Sequence, residues 1–241
     1  MSSHSRRPPL GYTNQPNQMK KKPTKTKQNK PTKPTWAVLV LDETGSMLAC
    51  KAETISGYNA YVDALRKSKD KDMLFTLVKF DSISIKTVQD GVPIRDAVKL
   101  DDKNYTPGAL TPLYDAVGQT IETINEKNED YDVLMVTLTD GLENASTKWS
   151  YEQIQHEIKK CEGEGWAFAH IGVGNQGWAA GEKLYAGTQS VNNVLRTDGK
   201  NVARSLARAG GQAVSYAAAT TIGKENLKAN FFAGKKDDTE E

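Results

Sequence analysis

Trp36-Ala-Val-Leu-Val-Leu-Asp-Glu-Thr-Gly-Ser46 joins an apolar run of strand length to a carboxylate and two hydroxyls at alternate positions, and its reading decides the fold. Continuous apolar character, rather than alternation, marks a strand covered on both faces. It stops abruptly at Asp42. The helical spacing of Tyr58, Tyr61, Val62 and Leu65 predicts a helix over 47–67, although Gly57 weakens that pattern.

The same unit recurs along the chain. Tyr131-Asp-Val-Leu-Met-Val-Thr-Leu138 reads as a second buried strand ending at Thr139-Asp140-Gly141, and Trp166-Ala-Phe-Ala-His-Ile-Gly-Val173 as a third. Between them, Pro112 opens a helix with Leu113, Ala116, Val117, Thr120, Ile121 and Ile124 on one face, and Ser150 with Gln153 forms a capping box for another. Met73–Phe80 and Ser84–Val88, separated by a short corner, read as a hairpin. Helices are expected over 178–185 and 200–219, with a short strand beginning at Val194-Leu195. Strands alternating with helices need crossover connections. The expected fold is therefore α/β and doubly wound: a mostly parallel central sheet with one antiparallel edge strand, helices on both faces, and ligands beyond the carboxyl ends of the strands.

Asp42 and Asp140 both fall at that edge. Asp42, Thr44 and Ser46, together with Thr111 in the loop before the second helix and Asp140, supply only oxygen donors, which suit Mg²⁺, with Ca²⁺ or Mn²⁺ as alternatives. Two carboxylates balance a divalent charge, and the neutral hydroxyls leave the ion electrophilic. An aspartyl-phosphate chemistry at Asp42 would want a second acid two residues on, where Thr44 stands. Glu43 and Glu143, each near a candidate ligand, are read as carboxylates outside the metal's shell. Gly172-Val-Gly-Asn-Gln-Gly177 lacks phosphate-loop spacing and reads as a tight turn; His170 reads as a core residue.

Asp42-x-Thr44-x-Ser46, with Thr111 and Thr139-Asp140-Gly141, resembles the metal-ion-dependent adhesion site of von Willebrand factor A domains. The resemblance covers Trp36 to Ala219; Leu41–Met47, Leu138–Ser146 and Gly165-Trp166 look like uncharacterised bacterial and phage members. It implies that Thr44, Ser46 and Thr111 contact a metal directly and that Asp42 and Asp140 act directly or through water. Thr44 stands where serine is commoner. It also implies a binding module rather than an enzyme, one that captures an Asp or Glu carboxylate from a partner protein.

Composition sets the remaining expectations for the 241 residues. Residues 1–35 carry nine Lys and Arg and no Asp or Glu, so the rest is net −7 against an overall +2. With six prolines and little apolar surface, 1–34 is expected to be a disordered basic tail. Such a tail offers an alternative role, association with nucleic acid while the domain acts as scaffold. The domain is placed at 35–222 and an acidic-ended C-terminal extension at 223–241. No apolar run is long enough for a signal or a membrane span, so a cytoplasmic protein is expected, and Cys50 and Cys161 are expected to be reduced.

Overall fold

The computed structural model describes Met1, residues 33–127 and residues 130–239. Apart from Met1, Lys33 and Pro34, the 1–34 tail expected to be disordered lies outside the described residues.

A six-stranded sheet has the order β3-β2-β1-β4-β5-β6, built from β1 (Thr35–Asp42), β2 (Leu74–Phe80), β3 (Ile85–Pro93), β4 (Asp132–Thr139), β5 (Ala167–Val173) and β6 (Val194–Thr197). All neighbours are parallel except the β2–β3 edge pair. The expected mostly parallel sheet with one antiparallel edge is thus observed.

The helices are α1 (Lys51–Leu65), entered through a 3-10 turn at Gly45–Cys50, α2 (Leu113–Lys127), α3 (Tyr151–Glu164), α4 (Gly174–Leu184), α5 (Val202–Ala218) and α6 (Thr221–Ala229). Pleating divides β1 between two cores. Ala37, Leu39 and Leu41 pack with residues of α1 and α5, whereas Trp36, Val38 and Val40 pack with α2, α3 and α4. Both faces are covered, which is why the strand shows no alternation in sequence.

Gly57, the weak point of the α1 pattern, has a packing reason: a Cβ there would lie 2.8 Å from the Cα of Ala203, so its absence lets α1 and α5 approach closely. The Ser150–Gln153 capping box is present, and Gly165 ends α3 in the left-handed conformation. Helix α4 begins at Gly174, four residues before the expected start, and α6 has no counterpart in the sequence reading.

After α6, Phe231 and Phe232 are buried in the α1–α5 core, and residues 236–238 return beside β6 through Arg196 N–H to Lys236 O (2.8 Å) and Asp238 N–H to Arg196 O (2.8 Å). Asp238 is buried against Arg208, Lys235 and Ser205. Cys50 and Cys161 are free and buried. Among the described residues no helix is long and apolar enough to cross a membrane.

Candidate metal centre

β1 and β4 lie side by side in register Leu41↔Leu138, so the residues immediately beyond, Asp42 and Thr139, emerge together at the carboxyl end of the sheet. Thr139 Oγ1 donates to Asp42 Oδ2 at 2.5 Å, while Asp42 Oδ1 accepts the Thr44 N–H at 2.7 Å. The turn that follows brings Thr44 Oγ1 within 3.4 Å of Ser46 Oγ, which donates to Asp140 Oδ1 at 2.6 Å. Asp42 and Thr44 are buried and Ser46 is exposed, so the group opens outward on one side only.

Thr111 arrives from a third segment. Its side chain lies against Gly141, where a Cβ would be 3.0 Å from Thr111 Oγ1. Reciprocal bonds fix this junction: Thr111 N–H to Asn144 Oδ1 (2.9 Å) and Asn144 N–H to Thr111 O (3.1 Å). The structure thus gathers Asp42, Thr44, Ser46 and Asp140 through a continuous hydrogen-bonded chain and sets Thr111 beside the residue after Asp140.

Burial pushes the Asp42 carboxyl up to about 6 against the opposing hydrogen bonds from Thr139 and Thr44, and the nearby Asp140 adds to the rise. Asp140 is likewise raised, chiefly by burial, with the Ser46 hydroxyl acting the other way. Among the described residues no Lys or Arg figures among the main influences on either carboxyl. Two desolvated carboxyls without a counter-charge, joined by hydroxyls, fit a divalent ion's needs. Among the described residues no three His, Cys, Asp or Glu side chains gather, so the hydroxyls are essential to any such donor set.

Several supporting contacts carry no signal in the sequence. Thr139 was visible only as the neighbour of Asp140, yet it holds the Asp42 carboxyl. Tyr105, fully buried, donates to Asp42 O at 2.6 Å. Glu43 pairs with Lys79 at 2.7 Å and also accepts the Thr106 N–H, while its carbonyl accepts from Gly108. Glu43 thereby clamps the 105–110 loop that leads to Thr111. Ala109 in that loop is left-handed at φ 60°, an unfavourable backbone for a residue with a Cβ, and its carbonyl accepts the Gly45 N–H.

Glu143 turns inward onto the N–H groups of Tyr114, Ala145 and Ser146. Both glutamates thus direct their oxygens to loop backbone. His170 is buried, with Nε2 3.0 Å from Gly177 O. Gly177 itself permits a close approach: a Cβ there would lie 2.3 Å from Thr139 O and 3.0 Å from the Asp140 Cα. The glycine-rich stretch after β5 therefore seats α4 against the Asp140 turn.

No protein-family model matches the chain, and no curated protein matches it in sequence. Solved structures do match in fold. The von Willebrand factor type A protein from Catenulispora acidiphila aligns at TM-score 0.57 and 13% identity over 76% of this chain and 43% of its own. The vWF domain of the type V pili tip protein Mfa5 from Porphyromonas gingivalis gives 0.57 and 13% over 76% of this chain and 95% of that domain. The pilus adhesin SpaC from Lactobacillus rhamnosus GG, in its open conformation, gives 0.60 and 14% over 78% and 31%. The chain spans less than half the length of the first and third of these and nearly all of the Mfa5 domain. These alignments, with the mostly parallel six-stranded sheet flanked by helices, show that the chain has the fold of von Willebrand factor A domains.

Proposed function

We propose that this chain is a metal-dependent protein-binding module, not an enzyme, in which Asp42, Thr44, Ser46, Thr111 and Asp140 hold a divalent cation, Mg²⁺ foremost. The observation that carries this reading is the hydrogen-bonded run from Thr139 through Asp42, Thr44 and Ser46 to Asp140, which draws two carboxyls and three hydroxyls together at one outward-opening point. A cation there would supply an open coordination position for an Asp or Glu carboxylate of a partner protein. The chain's own contribution is rigidity: Thr139 and the Thr44 amide fix Asp42, Glu43 and Lys79 fix the loop to Thr111, and Asn144 fixes Thr111 to the Asp140 turn. Two neighbours in fold being a pilus tip protein and a pilus adhesin supports a role in protein interaction.

The test is affinity capture on the full chain in Mg²⁺, eluted with chelator, beside Asp42→Ala. Partners released by chelator and absent from the variant are expected. Identical capture with chelator present and by the variant would refute the reading.

A further inference from the structure

Exposed aliphatic side chains adjoin the proposed centre. Leu48 follows Ser46 by two residues and is 64% exposed; Leu110 precedes Thr111 and is 56% exposed; Leu142 follows Asp140 by two residues and is 44% exposed. Ile83, 84% exposed at the β2–β3 turn, joins them through Ser82, whose Oγ accepts the Leu110 N–H at 3.1 Å. Each of the three site-bearing segments therefore presents one solvent-facing leucine beside its oxygen donor. The remaining exposed aliphatics among residues 33–239, Val88, Val98, Val191 and Ile222, are on other parts of the chain. Beside Ile83 a cleft of about 400 Å³ opens between the β2–β3 turn, the start of α2 and residues 145–148; its wall is mostly polar, with Asp81, Asp115, Gln119 and Lys148 beside Ile85 and Pro112.

Charge narrows the occupant further. No Lys or Arg occurs in residues 44–50, 105–114 or 140–146. The nearby Lys79 is committed to Glu43 and Asn104 O, and Lys51 to Asp102. Glu43 and Glu143 face inward. A divalent ion between Asp42 and Asp140 would leave the centre formally neutral and able to draw one further anion, and since Lys148 shares the adjoining cleft with Asp81 and Asp115, no cluster of cations is offered to a polyanion. Solvent-exposed apolar side chains clustered around a polar centre mark a contact surface.

We infer that the partner presents a single Asp or Glu flanked by aliphatic side chains, the carboxylate at the metal and the flanking groups on Leu48, Leu110, Leu142 and Ile83. This rests on the metal-dependent reading above. Burying about half of each exposed leucine side chain on docking corresponds to roughly a five- to tenfold contribution to affinity per residue.

The probe is a display library of random peptides, panned on the immobilised full chain in Mg²⁺ and eluted with chelator. It is run on the wild type and on a Leu48→Ser, Leu110→Ser, Leu142→Ser triple variant whose circular dichroism matches the wild type. Wild-type selections should converge on an acidic residue with Leu, Ile, Val or Phe beside it, and a synthetic peptide of that consensus should lose roughly five- to tenfold in affinity with each single leucine substitution. Chelator-released peptides with an acidic residue but no preference at the flanks would overturn the apolar-rim inference and leave the metal reading intact. An oligonucleotide displacing the peptide as well as an acidic competitor does would also overturn it. Recovery of nothing by chelator would overturn the metal reading and the inference together.

Discussion

Gly177→Ala tests how α4 supports the Asp140 turn, because two effects of known size oppose each other there. Removing a glycine from a helix interior favours folding by up to about 1 kcal/mol. Yet the added Cβ would lie 2.3 Å from Thr139 O, where ordinary contact begins at 3.4 Å, so α4 and the end of β4 must separate by about 1 Å. Backbone lies on both sides of this contact, with no side-chain end to rotate away. Overpacking of that kind costs about 3 kcal/mol, the upper end of the usual range. The clash wins, leaving a net loss of about 2 kcal/mol, or roughly 4–8 °C in Tm for a domain of this size. Gly211→Ala in α5 is the control, since nothing lies within 4 Å of its Cβ. There the helical gain stands alone, and stability should rise by about 0.5–1 kcal/mol. Urea unfolding of both variants is the assay. Gly177→Ala matching Gly211→Ala in stability would refute the close-approach argument.

Other consequences are equally direct. Burial pushes His170 from 6.5 down to about 4, so the unfolded chain takes up a proton there before the folded chain does; this stability is complete above 6.5 and lost as pH falls toward 4. The advantage of wild type over His170→Asn should therefore narrow by about 2 kcal/mol between about pH 8 and pH 5 in denaturant titrations; a constant difference would contradict it. Asp238→Asn should cost about 2 kcal/mol at neutral pH, because Arg208 and Lys235 lose a buried partner but remain about a third exposed to water. Although burial alone would raise the Asp238 carboxyl, Lys235, Arg208 and Ser205 hold it below its ordinary value, so the penalty should fade as pH drops through the acid range. Ser150→Ala, which removes the α3 cap, should lower stability by about 1 kcal/mol in thermal melts.

Much of this is legible in the amino-acid sequence. Buried parallel strands leave an unbroken apolar run, so β1, β4 and β5 stood out, and a carboxylate at the end of such a run, as at Asp42 and Asp140, marks the sheet edge where ligands bind. Local chemistry also fixed the Ser150 cap, since its hydrogen bonds span only three residues. What remained hidden depends on distant parts of the chain. Lys79 meets Glu43 across 36 residues, Tyr105 reaches Asp42 across 63, and Thr139 reaches it across 97. No spacing in the chain announces such pairs. Helix α6 was missed because its apolar residues are few: Lys224 and Lys228 are its buried side chains, with Lys224 paired to Asp132 and Lys228 to Glu225. Gly177 looked like turn chemistry because close backbone approach and a tight turn both require a residue without Cβ.

The central claim is that five oxygen-bearing side chains from three segments hold a divalent cation, and titration calorimetry of the full chain with Mg²⁺ tests it most directly, beside Asp42→Asn and the double variant Thr44→Ala, Ser46→Ala. One binding event per chain is predicted for the wild type, lost in both variants. At about a hundredfold excess over Kd the ion should raise wild-type stability by about 2.7 kcal/mol and leave the variants unmoved. No heat of binding in the wild type, or binding that survives both sets of substitutions unchanged, would contradict the account.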